Sequence, residues 1–194
     1  PCLVHIYTKK GKGYAPAENN SGEYHGLPPK NQSGNDGECF TEVFGKTLLS
    51  FAEKDNNICA VTAAMKYGTG LQYFSKAFPK RFFDVGIAEQ HAVTFCAGLA
   101  SQGKLPVFAV YSSFLQRSYD QLIHDCAIEN RHIVLGIDRA GFVGEDGETH
   151  HGLFDVAMLS TVPTATLYSP CDTSELSVCL EQALYSDTGI SAGR

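Results

Sequence analysis

The sequence predicts an α/β domain with a parallel sheet and helices on both faces. From Cys39 onwards, short apolar runs alternate with segments whose apolar residues recur at helical spacing, an order typical of strand–helix–strand units. The run 133–137 is apolar almost throughout, as expected of a strand that helices cover on both sides. Another run, 82–85, passes into a helical pattern through Gly86, which permits a tight turn between strand and helix.

A helix, a strand and a shorter helix are predicted before this turn. The first helix ends at 55–57, and a strand follows at 58–62. A glycine-interrupted connection then leads to a short helix from Leu71, which Pro79 ends. One face of the first helix carries Phe40, Val43, Phe44, Leu48 and Phe51.

The strand–turn–helix segment around Gly86 carries the first candidate functional residue, Glu89. The helical pattern over 88–103 places Glu89 in the first turn of the helix, after the carboxyl end of the preceding strand. In open α/β sheets this edge is where ligands bind. The alternative is that Glu89 only complements the positive end of the helix dipole.

The remaining elements continue the alternation. A strand at 106–111 leads into a helix over 114–128, and the strand 133–137 leads into the loop 138–152. A short helix from Phe154, a strand at 166–168 and a helix at 174–185 complete a prediction of five parallel strands. The residues of the 114–128 helix expected to face inward are Leu115, Tyr119, Leu122, Ile123 and Cys126.

The amino-terminal stretch differs from the rest. Residues 2–7 form an apolar, β-branched run that predicts a strand, and residues 28–38 have the composition of a linker. We therefore place a domain boundary near Gly37, between a segment at 1–37 and a domain at 38–194. The chain does not begin with Met, which favours a fragment of a longer protein.

Composition argues against several classes of function. Of the 194 residues, 43% are hydrophobic, and the formal net charge is -6, which disfavours binding to nucleic acid or to an anionic membrane surface. No apolar run approaches the roughly 20 residues of a membrane span, and no secretory signal is visible. The seven cysteines include no Cys-x-x-Cys pair. Most occupy apolar positions, so we expect buried free thiols in a reducing cytoplasm, with a zinc site as the alternative.

The loop 138–152 is rich in glycine and in residues able to carry chemistry. A segment of this length without regular structure is usually functional in a compact domain. The Arg139 guanidinium suits the two oxygens of a phosphate, and Asp146 and His150 can bind substrate hydroxyls and exchange protons with them. A metal site formed by Asp146, His150 and His151 is the alternative.

Four motifs follow one another along the chain: DVGIAEQHAV at 84–93, YSSFLQRSYDQ at 111–121, DRAGFVG at 138–144 and DGETHHG at 146–152. Together they resemble the 1-deoxy-D-xylulose-5-phosphate synthases, a thiamine-diphosphate-dependent family of the transketolase superfamily. The resemblance implies that 38–194 is the pyrimidine-binding domain of this fold. It also implies that 1–37 is the tail of the preceding diphosphate-binding domain plus a linker.

The resemblance assigns the cofactor's pyrimidine ring to four residues. Thiamine diphosphate must lose a proton from its thiazolium carbon, and its own aminopyrimidine removes that proton when a carboxyl group binds the ring at N1′. Glu89 is expected to supply this carboxyl group. Tyr111, Phe114 and Arg117 are expected to hold the ring, close to Glu89 if their strands are adjacent, although plain core packing is the alternative for Phe114.

The implied reaction condenses pyruvate with D-glyceraldehyde 3-phosphate and releases carbon dioxide. Tyr111, Arg139, Asp146 and His150 are then expected to bind substrate, and His25 and His150 to act as acid–base groups. The family's Gly-Asp-Gly signature for Mg²⁺ and the diphosphate is absent, so the Mg²⁺ ligands are expected to lie outside this chain, which alone should be inactive. The implied protein is a cytoplasmic homodimer.

Three other interpretations stay open at this point. Transketolases and the β-subunits of 2-oxoacid dehydrogenases share the strand–Glu–helix segment, but YSSFLQR and DGETH argue against both. The third is a non-catalytic interaction module that contributes only half of a cofactor pocket.

Overall fold

The computed structural model describes residues 1–25, 39–144 and 146–194. The chain forms two compact units, Pro1–Asp36 and Gly37–Arg194. The first contains one short helix, α1 (Ala15–Asn19), and an ion pair between Lys9 and Glu18 at 2.6 Å.

The strand predicted at 2–7 is wrong. These residues are all described, and they are exposed and form no strand. An apolar run becomes a strand only where another strand accepts its backbone hydrogen bonds, and no described residue of the first unit does so. The boundary near Gly37 lies outside the described residues, so the assignment of 1–37 to a preceding domain stays a prediction.

The second unit is built on a parallel sheet, as predicted. Within the described residues the sheet has six strands in the order β2-β1-β3-β4-β6-β5. Every neighbouring pair is parallel. The strands are β1 (Ile58–Thr62), β2 (Phe82–Asp84), β3 (Leu105–Tyr111), β4 (Ile133–Asp138), β5 (Ala165–Tyr168) and β6 (Ile190–Gly193).

The prediction of five strands missed β6. Its sequence, Ile-Ser-Ala-Gly, is short and only weakly apolar, so local pattern gives little signal for a strand. Its place is set by pairing on both sides, because Ile190 lies opposite Ile133 of β4 and opposite Ala165 of β5.

Helices cover both faces of the sheet. On one face α2 and α8 bury Leu48, Leu180 and Leu184 against β3 and β4, and on the other α4 buries Val93 and Cys96. The predicted α/β class with helices on both faces is confirmed. The helices of this unit are α2 (Phe40–Lys54), α3 (Gln72–Ala77), α4 (Glu89–Ser101), α5 (Ser112–Leu115), α6 (Tyr119–Gln121), α7 (Asp155–Leu159) and α8 (Thr173–Tyr185).

The helix predicted over 114–128 is helical up to Ala127, but it is not one regular α-helix. The segment consists of α5, a 3₁₀ turn at Gln116–Ser118, α6 and a π-helical stretch at Leu122–Ala127. These changes of hydrogen-bond spacing rotate the helical face, so Tyr119 is exposed and contacts Thr161 at 2.6 Å instead of packing inward.

The cysteines are all free, but fewer are buried than predicted. Cys59, Cys96 and Cys126 are buried, and burial raises the pKa of the Cys126 thiol to about 12. Cys2, Cys39 and Cys171 are exposed and Cys179 is half-buried. None of the helices in the described ranges is long and apolar enough to cross a bilayer.

Candidate active site

The candidate residues gather at the carboxyl edge of the sheet. Because the strands are parallel, β2, β1, β3 and β4 all end on the same side, and the register places Thr62 of β1 opposite Asp84 of β2. Tyr111 and Asp138 lie opposite each other where β3 and β4 end. Side chains that follow these strands therefore meet at this edge.

A carboxylate braces the turn that precedes Glu89. Asp84 Oδ1 accepts hydrogen bonds from the backbone N–H groups of Ala64 at 2.8 Å and Gly86 at 3.0 Å. Both donors belong to residues with positive φ, 60° at Ala64 and 74° at Gly86, a conformation that needs such support at a non-glycine residue. Asp84 thus holds together the turns that follow β1 and β2, next to the start of α4.

Glu89 is a buried carboxylate with one charged partner. It is the first residue of α4 and only 2% exposed, and Arg117 Nη1 donates to its Oε1 at 2.8 Å. No described residue donates a hydrogen bond to its Oε2. This oxygen is not among the buried unpaired side-chain atoms of the described residues, so solvent reaches it and a bound ligand can take the solvent's place.

The contact between Glu89 and Arg117 is not formed by adjacent strands. β1 lies between β2, which precedes Glu89, and β3, which precedes Arg117. The sequence predicts Arg117 near Glu89 on the condition that the two strands are adjacent, and that condition is not met. The contact forms because α4 packs against the 3₁₀ turn that carries Arg117.

Aromatic rings form a wall beside Glu89. The rings of Tyr111 and Phe114 are stacked, with centroids 5.7 Å apart, and the His150 ring meets Phe114 edge-on at 5.1 Å. The Arg117 guanidinium lies over Phe114 at 4.8 Å. Phe114 also packs on the core, which supports the alternative of core packing, and its role at a pyrimidine ring stays a prediction.

Tyr111 is fitted closely against Gly68. A Cβ at Gly68 would lie 1.8 Å from the Tyr111 hydroxyl oxygen, so no larger residue fits there without moving the ring. The Tyr111 backbone N–H donates to Met65 Sδ at 3.4 Å. Burial raises the pKa of Tyr111, which keeps its hydroxyl neutral near pH 7.

Arg139 is held by three acceptors and one ring. Its Nη1 donates to Asp138 Oδ1 at 2.7 Å and to the Gly68 carbonyl at 3.0 Å, and its Nε donates to Asp146 at 3.1 Å. Its guanidinium lies over Tyr111 at 4.6 Å. Burial lowers the pKa of Arg139, but the Asp138 carboxylate outweighs burial and raises it overall. Among the described residues nothing accepts a hydrogen bond from Nη2, so this edge of the guanidinium is left for an anion.

The loop after Arg139 is closed at its base and turns its two histidines in different directions. Gly141 and Gly152 exchange two backbone hydrogen bonds of 2.8 Å. His150 Nδ1 contacts Thr149 Oγ1 at 2.9 Å while its ring lies on the aromatic wall. His151 Nδ1 instead accepts from the Val143 backbone N–H at 3.0 Å, within the loop.

The alternative metal site gains no support from these positions. Within the described ranges, no three His, Cys, Asp or Glu side chains cluster closely enough to hold a metal ion. His25 belongs to the first unit, where it contacts the Lys10 ammonium. Its predicted role at the reacting carbon stays a prediction.

Sequence reasoning missed Asp84, Asp138 and Gly68. Asp84 lies at the end of one predicted strand and Asp138 directly follows another, and that position is the signal that could have identified them. Asp138 also accepts from Thr41 Oγ1 at 2.7 Å, a contact across 97 residues that no local pattern shows. Gly68 was visible only as one of several glycines after β1.

A separate cavity lies on the other side of Arg139. Its volume is about 420 Å³, and it is lined by Phe44 of α2, Leu176 of α8, and Asp138, Arg139 and Arg194 at strand ends. Glu89 and the aromatic wall do not line it. The carboxyl edge with Glu89 is an open half-pocket. We therefore identify it as a candidate site from its side chains and not from an enclosed volume.

Comparisons with known proteins agree with this arrangement. Residues 39–192 match the family described as transketolase, pyrimidine binding domain. The 1-deoxy-D-xylulose-5-phosphate synthase of Desulfotalea psychrophila is 54% identical over 97% of this chain, which spans 30% of that protein. The protein of the same name from Aquifex aeolicus is also 54% identical, over 96% of this chain and 31% of its own length.

A solved structure shows the same architecture. A split-gene transketolase, described as an inactive beta4 tetramer, superposes with a TM-score of 0.71 at 26% identity. The match covers 81% of this chain and 51% of that one. On the sequence match, the parallel sheet and this superposition, the chain belongs to the transketolase pyrimidine-binding domain family.

Proposed function

We propose that this chain forms the pyrimidine-binding half of a thiamine-diphosphate site in a 1-deoxy-D-xylulose-5-phosphate synthase. The complete protein would condense pyruvate with D-glyceraldehyde 3-phosphate and release carbon dioxide. The observation that carries the proposal is the buried Glu89 side chain beside an aromatic wall, with Arg117 on its Oε1 and no described residue on its Oε2. The 54% identity to two synthases of this name supports the choice of reaction.

The chemistry of Glu89 fits the cofactor's pyrimidine. When bound, thiamine diphosphate supplies a carbon nucleophile once its aminopyrimidine has removed a proton from the thiazolium ring. Glu89 would bind N1′ of that pyrimidine through its Oε2, with one proton shared between the carboxyl oxygen and the ring nitrogen. Arg117, on Oε1, compensates the buried charge from the other side, and so orients the carboxyl group for this contact.

The aromatic wall fits a flat ring. Tyr111 and Phe114 present stacked faces next to Glu89, and such faces bind an aminopyrimidine by offset or edge contacts. The close approach of Gly68 to the Tyr111 hydroxyl fixes that ring in place. Arg117, over Phe114, closes the wall at the side of Glu89.

Arg139 and its loop would bind the phosphorylated acceptor. The free Nη2 of Arg139 suits a phosphate oxygen, with Asp146 and Asp138 holding the guanidinium in place. His150, on the wall, would hold or release a proton at a substrate hydroxyl, and Tyr111 would contact the same substrate. His25 would be a second acid–base group, on the strength of the family resemblance alone.

The proposal extends to the assembly. The Mg²⁺ that would bind the diphosphate needs several oxygen ligands, which we assign to residues outside this chain. A cytoplasmic homodimer is proposed as well, and the free state of all seven cysteines supports the reducing compartment.

Replacement of Glu89 tests the proposal. In the complete protein, Glu89→Gln should lower the turnover number by at least about a hundredfold, the usual scale for a positioned acid–base group. Folding should barely change, because the amide has the same shape. Glu129→Gln is the matched control, since it removes another Glu–Arg pair, that with Arg131 at 3.2 Å, on the exposed surface.

Near-normal turnover in Glu89→Gln would refute its role. Calorimetry with Mg²⁺ and thiamine diphosphate separates the enzyme from the non-catalytic module. If the complete protein binds no cofactor, the chain acts as an interaction module instead.

A further inference from the structure

Asp155 is a fully buried carboxylate to which the proposed function gives no role. It is the first residue of α7 and the first buried side chain after Gly152, where the loop 138–152 ends. A carboxylate is stable in such a place only when it is paired and hydrogen-bonded. Its contacts therefore indicate what it holds together.

Asp155 joins the start of α7 to the end of β6. Its Oδ2 accepts from Arg194 Nε at 2.9 Å, and its Oδ1 accepts from the Val156 backbone N–H at 3.0 Å. Arg194 directly follows β6, and its backbone N–H donates to the Tyr168 carbonyl of β5 at 3.0 Å. The ion pair therefore ties the segment after the loop to the carboxyl ends of two strands.

The short segment between the loop and this pair has little other support. Leu153 and Phe154 are both exposed. Gly152 lies so close to the Arg139 carbonyl and to Ser112 that an added Cβ would meet their atoms at 2.3 to 2.5 Å. A shift of Asp155 would therefore be transmitted to Gly152 and to the closed base of the loop.

We propose that Arg194 and Asp155 form a positioning pair that holds the end of the loop 138–152. The pair thereby sets how the rest of this loop is positioned around Arg139. The pair contacts no substrate and acts through Asp146 and His150, which the loop carries. The inference rests on the proposed function, because it assumes that Arg139 and His150 bind the phosphorylated acceptor and that Asp146 holds Arg139 in place. Loss of the pair should then weaken acceptor binding selectively.

Steady-state kinetics of the complete protein test the pair. Arg194→Met should raise the KM for glyceraldehyde 3-phosphate about tenfold, because a displacement of binding groups by a fraction of an ångström has effects of this order. The KM for pyruvate and the affinity for thiamine diphosphate should change by less than about twofold. Arg194→Lys keeps the charge and should recover part of the loss.

Hydrogen exchange supplies a readout on the loop itself. The amides of Gly141 and Gly152 should exchange faster in Arg194→Met, because the bridge between them opens more often. Ser191→Ala is the matched control. It removes a part-buried hydrogen bond of 2.8 Å to Asp187 from β6, the strand that precedes Arg194, and should leave both amides and both KM values unchanged. If Arg194→Met does not fold, Arg194→Lys and Asp155→Asn give the same readouts.

Four results would overturn the inference. An equal rise of both KM values, or equally fast exchange in Ser191→Ala, would make the pair a general stabiliser of the fold. Arg139→Ala, measured in the same assay, separates this failure from that of the proposed function. A raised acceptor KM in Arg139→Ala with an unchanged one in Arg194→Met refutes the pair alone. An unchanged KM in Arg139→Ala refutes the acceptor site and the inference with it.

Discussion

The carboxyl edge has two halves, one around Glu89 and one around Arg139, and they differ in how completely their charged groups are paired. Around Glu89, a buried side chain has a single partner among the described residues, Arg117, and its Oε2 is open to solvent. Around Arg139, a half-buried guanidinium has Asp138, Asp146 and the Gly68 carbonyl as acceptors. One half leaves a carboxylate oxygen open to a ligand, whereas the other is nearly complete by itself.

This difference indicates how each half would bind its ligand. At Glu89 a ligand atom that shares a proton with Oε2 replaces solvent there, so the contact adds the net value of one hydrogen bond to affinity. Arg139 offers only Nη2, so its contribution depends on how rigidly its acceptors hold it. Substitutions at Glu89 should therefore act on chemistry, and substitutions around Arg139 should act on the binding of one substrate.

The largest expected effect on the Arg139 half follows from removal of the guanidinium. Arg139→Ala should raise the KM for glyceraldehyde 3-phosphate more than that for pyruvate. Loss of a charge-assisted hydrogen bond is worth roughly 1.5 to 3 kcal/mol, or about tenfold to a hundredfold. Arg131→Ala is the control, because Arg131 is an exposed arginine paired with Glu129. Equal changes for both substrates would show that the loop is only structural.

The sequence predicted the Glu89 half better than the Arg139 half. β1 was predicted with its observed bounds, and the turn at Gly86 follows from a strand pattern, a glycine and a helical pattern in immediate succession. These signals are local, and local pattern is what a single sequence expresses. The Arg139 half depends on contacts across the fold, such as that of Arg139 with Gly68, 71 residues away.

The elements missed or misassigned have the same cause. β6 is a strand because β4 and β5 pair with it on both sides. The 3₁₀ and π turns between Gln116 and Ala127 fit that segment against α4. Amino-acid composition does not predict such turns. Conversely, 2–7 has the composition of a strand but no pairing partner among residues 1–25, the part of its unit that the structure describes.

An added methyl group at Gly68 should have a medium-sized effect on the acceptor KM. Gly68 contacts both the Tyr111 ring and Arg139. Gly68→Ala would force the Tyr111 ring away, since its hydroxyl oxygen would lie 1.8 Å from the new Cβ. We expect an increase of about tenfold in the acceptor KM, within the usual range for coupled neighbours. Kinetics of Gly68→Ala, Tyr111→Phe and the double variant measure this.

The double variant makes the test specific. Without the hydroxyl, the nearest ring atom would still lie 2.8 Å from the Cβ, so Tyr111→Phe should relieve part of the Gly68→Ala effect. Strict additivity of the two substitutions would mean that Gly68 acts through the backbone alone. Because burial raises the pKa of Tyr111, the coupling should not vary with pH between about 6 and 9.

The smallest expected effect concerns Asp146, the outermost acceptor of Arg139. Its carboxylate is 37% exposed and its contact with Nε is 3.1 Å long, so solvent screens the pair. Exposed ion pairs contribute between about 0 and 1 kcal/mol, which limits the change in acceptor KM for Asp146→Asn to about fivefold. Asp120→Asn is the control, since Asp120 pairs only with His124 on the exposed surface at 3.0 Å. A loss as large as that of Arg139→Ala would show that Asp146 contacts the substrate itself. The charged groups around Arg139 would then be fully paired only with substrate bound.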